Sequence, residues 1–195
     1  VLTPIANPSC LGDTATVTVS GGSSSGASTL WFGGNCGNVI WGQEWQNQPY
    51  TTVGTASNSV SSGILTITTS SVDPQINLGN IGAFTASTYK YFCARYRVVS
   101  GNAGSMNIYY GTAAAPSLNE SKRAGSNLIS DAQWHTISID MTTASATATS
   151  ETWSNNVINQ LRFDYAAPLS SSPVVMEIDY VILSDTPFIT KYFSR

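Results

Sequence analysis

The feature that most limits the possible folds is the strict alternation of apolar and polar residues in the last third of the chain. Residues 133–141, 158–164 and 176–183 each place an apolar side chain at every second position. Those side chains are Ile137, Ile139 and Met141 in the first run, Leu161 and Phe163 in the second, and Ile178, Tyr180 and Ile182 in the third. A period of two is typical of a β-strand with one buried face.

Shorter runs of the same kind occupy the earlier chain. The strands that they predict are 14–20, 28–32, 63–68, 74–78, 91–99 and 106–110. Strands that recur after about 8–12 residues, with turn-forming residues between them, are typical of sandwiches and jelly rolls. No stretch has a sustained helical period. The predicted fold class is therefore all-β, an antiparallel β-sandwich or jelly roll with no helix longer than about three turns.

The low charge of the chain narrows the classes of function. Charged residues make up 10% of its 195 residues, against about 25% in an ordinary domain, so Ser, Thr, Asn, Gln and Gly must cover the surface. That surface favours an extracellular or cell-surface protein. The net charge is −3 and no Lys/Arg cluster occurs, which argues against nucleic acid as a partner. No apolar run approaches the roughly 18 residues of a membrane span, so no membrane insertion is expected. The start at Val1 predicts a processed form or a fragment.

Three cysteines leave at least one outside any disulfide. Cys10 and Cys36 flank Gly- and Asn-rich turns, and we predict a disulfide between them that closes a loop of 36 − 10 = 26 positions. Cys93 lies in an apolar strand and is predicted to be a small buried side chain. The alternative is that all three are reduced thiols.

Residues that could carry catalysis are few. The single histidine, His135, has no Ser or Cys motif to pair with, so we expect it to be structural. Among the 11 acidic residues, Glu177 and Asp179 share one face of a strand. Such a pair could serve acid–base chemistry, hold Ca²⁺ or form ion pairs with arginines. Ion pairing is favoured, so no enzyme activity is predicted.

The polar faces of the predicted strands carry planar side chains suited to sugar binding. These are Tyr91, Arg95 and Arg97 on one strand, Asn107 and Tyr109 on the next, and Gln160, Arg162 and Asp164 on a third. Sugar hydroxyls bind to bidentate polar groups, and sugar C–H faces pack on aromatic rings. The predicted partner is a polysaccharide or glycan. The alternative is a solvated sheet face stabilised by cross-strand Arg–Asp and Tyr–Arg pairs.

The tryptophans and one tyrosine divide into two predicted groups. Trp31, Trp134 and Trp153 are expected in the core, whereas Trp41, Trp45 and Tyr110 are expected to be exposed. Exposed rings would add to a sugar-binding surface.

Residues 60–184 resemble a known family. The motifs that carry the resemblance are Gly63-Ile64-Leu65-Thr66-Ile67, Asp73-Pro74-Gln75-Ile76, Tyr89-Lys90-Tyr91-Phe92 with Arg95 and Arg97, Trp134-His135-Thr136, Trp153, Leu161-Arg162-Phe163-Asp164 and Ile178-Asp179-Tyr180-Val181-Ile182-Leu183. Their order and spacing are similar to the carbohydrate-binding-module-like jelly rolls of bacterial extracellular proteins. Tyr165 stands where that family usually has Pro. The resemblance implies a non-catalytic glycan-binding domain at 63–184, preceded by a connecting segment at 41–62.

Residues 1–40 resemble a different group, the front half of the Ig-like repeats of Bacteroidetes surface proteins. The motifs are Asn7-Pro8-Ser9-Cys10-Leu11-Gly12-Asp13, Val17-Thr18-Val19-Ser20-Gly21-Gly22 and Leu30-Trp31-Phe32-Gly33-Gly34-Asn35-Cys36-Gly37. This partial segment either merges with the main sandwich or is completed from elsewhere. The C-terminal tail, 185–195, contains a β-branched and aromatic stretch at 187–193. An alternative function is therefore a structural subunit that binds copies of itself by strand addition in an extracellular fibre or surface layer.

The first resemblance also implies one structural Ca²⁺ between an early strand and the final strand. The position that matches on the final strand is Asp179, and Glu44 is the one carboxylate of the early segment. Calcium takes about six to eight oxygen ligands, so backbone carbonyls would have to complete the site. The competing interpretation is that Asp179 accepts hydrogen bonds from arginine or backbone groups without a metal.

Overall fold

A computed structural model describes residues 39–43, 45–46, 48–167 and 173–187. These residues form eleven β-strands and two short 3-10 helices, Glu120–Lys122 and Met141–Thr143. The strands are β1 Val39–Gln43, β2 Thr51–Val53, β3 Thr55–Ser61, β4 Ile64–Thr69, β5 Gln75–Thr85, β6 Tyr91–Ser100, β7 Ser105–Thr112, β8 Arg123–Asn127, β9 His135–Asp140, β10 Val157–Ala167 and β11 Val175–Ser184. The predicted all-β fold class is confirmed. No helix in these ranges has the length and hydropathy of a membrane span.

The strands form two antiparallel sheets around two central strands. In sheet 1 the order is β3-β4-β11-β6-β9, and β1 pairs with the second half of β11 beyond the end of β4. In sheet 2 the order is β2-β5-β10-β7-β8. The central strands β11 and β10 are the last two strands of the described residues, so each sheet contains a strand from the C-terminal third between earlier strands.

Residues 41–62, which the sequence predicts to be a connecting segment, contain most of β1 and all of β2 and β3. β2 lies at the edge of sheet 2, and β3 at the edge of sheet 1. β8, at the other edge of sheet 2, was also missed by the sequence analysis. Most side chains of β3 and β8 are exposed. Their sequences therefore lack the apolar alternation that predicts a strand with one buried face.

The alternating apolar residues meet between the two sheets, as the period of two predicts. Ile137, Ile139, Leu161 and Phe163 are all buried there. In β11 a bulge at Asp179, between Ile178 and Tyr180, changes the alternation. Beyond it Val181 and Leu183 belong to the core cluster, whereas Ile182 is buried outside that cluster and Tyr180 is only partly buried. One extra residue turns the side chains that follow it to the other face.

The predicted division of the aromatic residues is partly wrong. Trp153 is buried in the core, as predicted, but Trp45 and Tyr110 are buried as well, with 3% and 0% exposure. Trp41 is half-buried against the core. Trp134 was predicted to be buried there but is only partly buried, beside two arginines on the outer face of sheet 1. It directly precedes β9, two positions before Thr136, and so points away from the core.

Cys93 is buried in β6 as predicted, and its Sγ lies 3.4 Å from Ser138 Oγ of β9. Other predictions concern residues outside the described ranges. These are the Cys10–Cys36 disulfide, residues 1–38 of the Ig-like segment at 1–40, Trp31, Glu44 and the tail beyond residue 187. They stay predictions.

Candidate functional site

The eight predicted ligand-binding side chains lie on two different surfaces. Tyr91, Arg95 and Arg97 belong to β6, and their side chains are on the outer face of sheet 1. Asn107, Tyr109, Gln160, Arg162 and Asp164 belong to β7 and β10 and lie on the outer face of sheet 2. Because the sheets pack core to core, these faces point in opposite directions. The eight side chains therefore cannot form one binding surface, and the group of five on sheet 2 is the larger of the two.

Strand register aligns the side chains of sheet 2 in two rows that cross all five strands. One row is Val53, Gln75, Asp164, Asn107 and Gly125, from β2 to β8. The other is Thr51, Asn77, Arg162, Tyr109 and Arg123. With Gln160 these rows form what we name the β10 face. The sequence analysis missed its contributions from β5 and β8. The alternation of Gln75 and Asn77 with Ile76 and Leu78 was the available signal.

Arg162 and Asp164 form the centre of the β10 face. Arg162 Nε and Nη2 donate to the two Asp164 carboxylate oxygens at 2.9 and 3.0 Å. The same guanidinium lies 4.0 Å from the centroid of the Tyr109 ring. The Asp164 side chain is only 2% exposed, so the ion pair is shielded from water. A planar guanidinium held on both sides is rigid, which favours a fixed hydrogen-bonding geometry.

A hydrogen-bonded chain continues from Tyr109 to the β8 edge. The Tyr109 hydroxyl donates to Glu120 Oε1 at 2.7 Å, and Arg123 Nε contacts Glu120 Oε2 at 2.9 Å. Arg123 Nη1 donates to Asn107 Oδ1 at 2.9 Å. Burial raises the pKa of Tyr109, so its phenol stays a hydrogen-bond donor. A Cβ at Gly125 would stand 2.2 Å from Asn107 Oδ1, so the glycine makes room for this amide.

The segment between β7 and β8 closes one side of the β10 face. A Cβ at Gly111 would be 2.6 Å from the Pro116 carbonyl oxygen and 3.2 Å from Gln160 Cβ. The buried Lys122 ammonium donates to the carbonyl of Ala115 and so fixes the same segment. The part of the β10 face that a ligand can reach is therefore the area over the two rows. On the far side of Gln160 the segment between β7 and β8 covers the sheet.

The pKa of Asp164 is raised to about 6, chiefly by burial; Arg162 lowers it, and the nearby Asp73 carboxyl adds a smaller rise. Asp73 in turn accepts a hydrogen bond from Gln75 at 2.8 Å. The folded-state pKa lies above the ordinary 3.8, so the folded protein binds this proton more tightly than the unfolded chain. Ionised Asp164 therefore lowers the free energy of unfolding above about pH 6. This loss of stability disappears as the pH falls towards about 4, because the folded protein takes up the proton first.

We expect the pH dependence to appear in a comparison with Asp164→Asn, which cannot titrate. From about pH 7 to about pH 4 the wild type should gain on the order of 1–3 kcal/mol of unfolding free energy relative to the variant. Urea unfolding of both proteins across this range measures the difference. A stability difference that does not vary with pH would contradict the raised pKa.

The outer face of sheet 1 also carries two arginine–carboxylate ion pairs. Arg97 bonds to Glu177, and Arg95 to Asp179. Both guanidinium groups lie over the Trp134 ring, at 4.4 Å for Arg95 and 5.0 Å for Arg97. The predicted pairing of the two acids with arginines is therefore present. His135 Nε2 lies 2.7 Å from Asp131 Oδ1, in agreement with a structural role.

The calcium ion predicted at Asp179 and Glu44 stays a prediction, because Glu44 lies outside the described residues. Asp179 Oδ2 accepts a hydrogen bond from Arg95, as expected if this carboxylate binds to arginine instead of a metal. Within the described ranges no group of three or more His, Cys, Asp or Glu side chains is placed to hold a metal.

Two antiparallel sheets that pack core to core define the class, a β-sandwich with the fold that carbohydrate-binding modules also have. No model of a protein family matches the sequence, and neither does any curated protein. The chain is similar in fold to PfGH50B, with 7% identity and a TM-score of 0.55 over 77% of this chain and 24% of that one. The agarase AgWH50C matches with 10% identity and a TM-score of 0.53 over 77% of this chain and 25% of the agarase chain.

A third structure is similar over almost its whole length. It is the family 11 carbohydrate-binding module of the cellulosomal cellulase Lic26A-Cel5E of Clostridium thermocellum, with 12% identity and a TM-score of 0.50 over 76% of this chain and 94% of that one. The chain thus spans about a quarter of PfGH50B and AgWH50C but nearly all of this module. At these identities the likeness concerns the fold.

Proposed function

We propose that the protein is a non-catalytic, extracellular carbohydrate-binding module that binds its glycan on the β10 face. The observation that carries the proposal is the pair of aligned rows, which places amide, guanidinium and carboxylate groups of four strands on one surface. Each sugar hydroxyl both donates and accepts, so it binds well to side chains that offer two polar atoms in one plane.

The arrangement of the Asp73 and Asp164 carboxyl groups supports glycan binding rather than glycan hydrolysis. Glycosidases place two carboxyl groups about 5 Å or more apart, on either side of the bond that breaks. Asp73 instead lies near enough to Asp164 to raise its pKa, and Arg162 donates to both oxygens of Asp164. The low charge of the chain supports an extracellular location, and the module of similar fold supports carbohydrate as the ligand.

Affinity electrophoresis in gels that contain single polysaccharides tests the proposal. Agarose and soluble cellulose derivatives belong in the panel, because the names of AgWH50C and of the parent of the family 11 module refer to an agarase and a cellulase. We expect retardation by at least one polysaccharide. Migration that no plant, algal or bacterial polysaccharide changes would contradict the proposal.

The variant Asn77→Ala tests the location of the site. Asn77 lies in the second row beside Arg162, and the loss of one or two hydrogen bonds should weaken binding roughly 5–10-fold. The matched control is Thr66→Ala, since Thr66 is a partly buried polar residue of β4 in sheet 1. Equal losses of affinity in both variants would place the site elsewhere.

A further inference from the structure

The charged groups of the β10 face and its β8 border are already paired with one another. Its two guanidinium groups are those of Arg162 and Arg123, and each contacts a carboxylate, Asp164 and Glu120 respectively. Asp73 adds a third carboxylate next to Asp164. The surface therefore offers an incoming anion no arginine without a carboxylate partner, and these five groups together carry one negative charge in excess.

An anionic ligand would meet a desolvation cost as well as repulsion. Asp164 is almost fully buried, so water screens its charge poorly and a sulfate or uronate placed over it would be repelled strongly. To reach the guanidinium of Arg162, the anion would also have to displace both Asp164 oxygens. That displacement would leave the Asp164 carboxylate without its charge partner, which is costly for a buried group.

The other polar groups on the face are uncharged. They are Thr51, Gln75, Asn77, Asn107 and Gln160, distributed over four strands. Tyr109 adds no open aromatic platform, since it is only 6% exposed and its ring lies under Arg162. Five strands about 4.8 Å apart make a surface roughly 19 Å wide, enough for several sugar rings in line.

From these observations we infer that the β10 face selects uncharged glycan chains, which lie across the strands, and rejects sulfated or uronate-rich ones. The inference rests on the proposed function and specifies its ligand class. The amide and hydroxyl side chains of the β10 face can donate hydrogen bonds to neutral sugar hydroxyls and accept hydrogen bonds from them. The existing ion pairs do not have to change. Selectivity then arises from the repulsive carboxylates as much as from the attractive contacts.

The experiment uses a matched pair of ligands, a neutral polysaccharide and its chemically sulfated derivative of the same chain length. Affinities are measured by calorimetry at low ionic strength, where charge effects are least screened. The sulfated form should bind at least about tenfold more weakly. Equal or tighter binding of the sulfated form would overturn the inference and leave the proposed function standing. Absence of binding to either form, and to the rest of the polysaccharide panel, would overturn both.

The variant Glu120→Gln tests the role of the paired charges. Glu120 has a side chain that is 75% exposed, so its replacement should not disturb folding, and glutamine can still accept the Tyr109 hydroxyl. The change releases Arg123 from its carboxylate, so we expect several-fold tighter binding of the sulfated polysaccharide and less than about a twofold change for the neutral one. No gain for the sulfated form would overturn the assigned role of the ion pairs.

The matched control is Glu177→Gln, which breaks the corresponding Arg97–Glu177 pair on the outer face of sheet 1. This variant should change neither the affinity for the neutral polysaccharide nor the affinity for the sulfated one. If the control raises affinity for the sulfated chain as much as Glu120→Gln does, the selectivity does not belong to the β10 face and the inference is overturned.

Discussion

Replacing Arg162 by leucine is expected to abolish glycan binding and to lower the free energy of unfolding by about 3–5 kcal/mol. The first effect follows because the guanidinium is the rigid centre of the β10 face, held by Asp164 and the Tyr109 ring. The second follows because Asp164, which is almost fully buried, loses its charge partner. Calorimetric titration measures the binding, and urea unfolding measures the stability.

Arg95→Leu provides a matched control for this experiment. Arg95 also pairs with an aspartate and lies over an aromatic ring, but on the outer face of sheet 1. Glycan affinity should be unchanged in this variant. The loss of stability should be only about 1–2 kcal/mol, because Asp179 is more exposed than Asp164 and water can solvate it. Loss of binding in the Arg95 variant would move the binding site to the opposite face.

Replacing Trp153 by alanine is expected to destabilise the protein by about 3–5 kcal/mol through the cavity that it leaves. The ring is 2% exposed and packs edge-on against Tyr110, with 4.9 Å between centroids. Its indole Nε1 also donates to the carbonyl of Tyr89 at 2.9 Å, and that carbonyl would lose its partner. Thermal unfolding should show a midpoint lower by roughly 6–20 °C.

The control is Trp134→Ala, which removes the same side chain from a partly exposed position. The ring of Trp134 contacts the two guanidinium groups of Arg95 and Arg97, and such cation–π contacts contribute about 0.5–1 kcal/mol each at exposed sites. The expected loss of stability is therefore about 1–2 kcal/mol. If both tryptophan variants lost the same stability, the assignment of Trp134 to the outer face would be wrong.

The predicted binding residues illustrate how far strand patterns reach. Alternation correctly indicates that Arg95 and Arg97 share a face, and that Arg162 and Asp164 share one. It contains no information about which sheet a strand joins, because that depends on pairing between residues far apart in the chain. The structure therefore divides the eight residues between two opposite surfaces and adds Gln75, Asn77 and Arg123 to one of them.

Local sequence was sufficient for what depends on neighbours along the chain. The period of two identified the all-β class and placed Ile137, Ile139, Leu161 and Phe163 in the core, because each of these strands has one buried face. It also indicated that Cys93 is buried. These outcomes need only the burial of apolar side chains on one side of an extended backbone.

Tertiary structure alone decided what depends on contacts between distant segments. The polar edge strands β3 and β8 form because neighbouring strands satisfy their backbone groups, not because they bury apolar residues. The bulge at Asp179 lets Asp179 reach Arg95 and directs Val181 to the core, since β11 must match β6 along one side and β4 and β1 along the other. The β10 face likewise exists only when β5, β7 and β8 assemble around β10, because its two rows combine residues up to 113 positions apart, as Thr51 and Asp164 are.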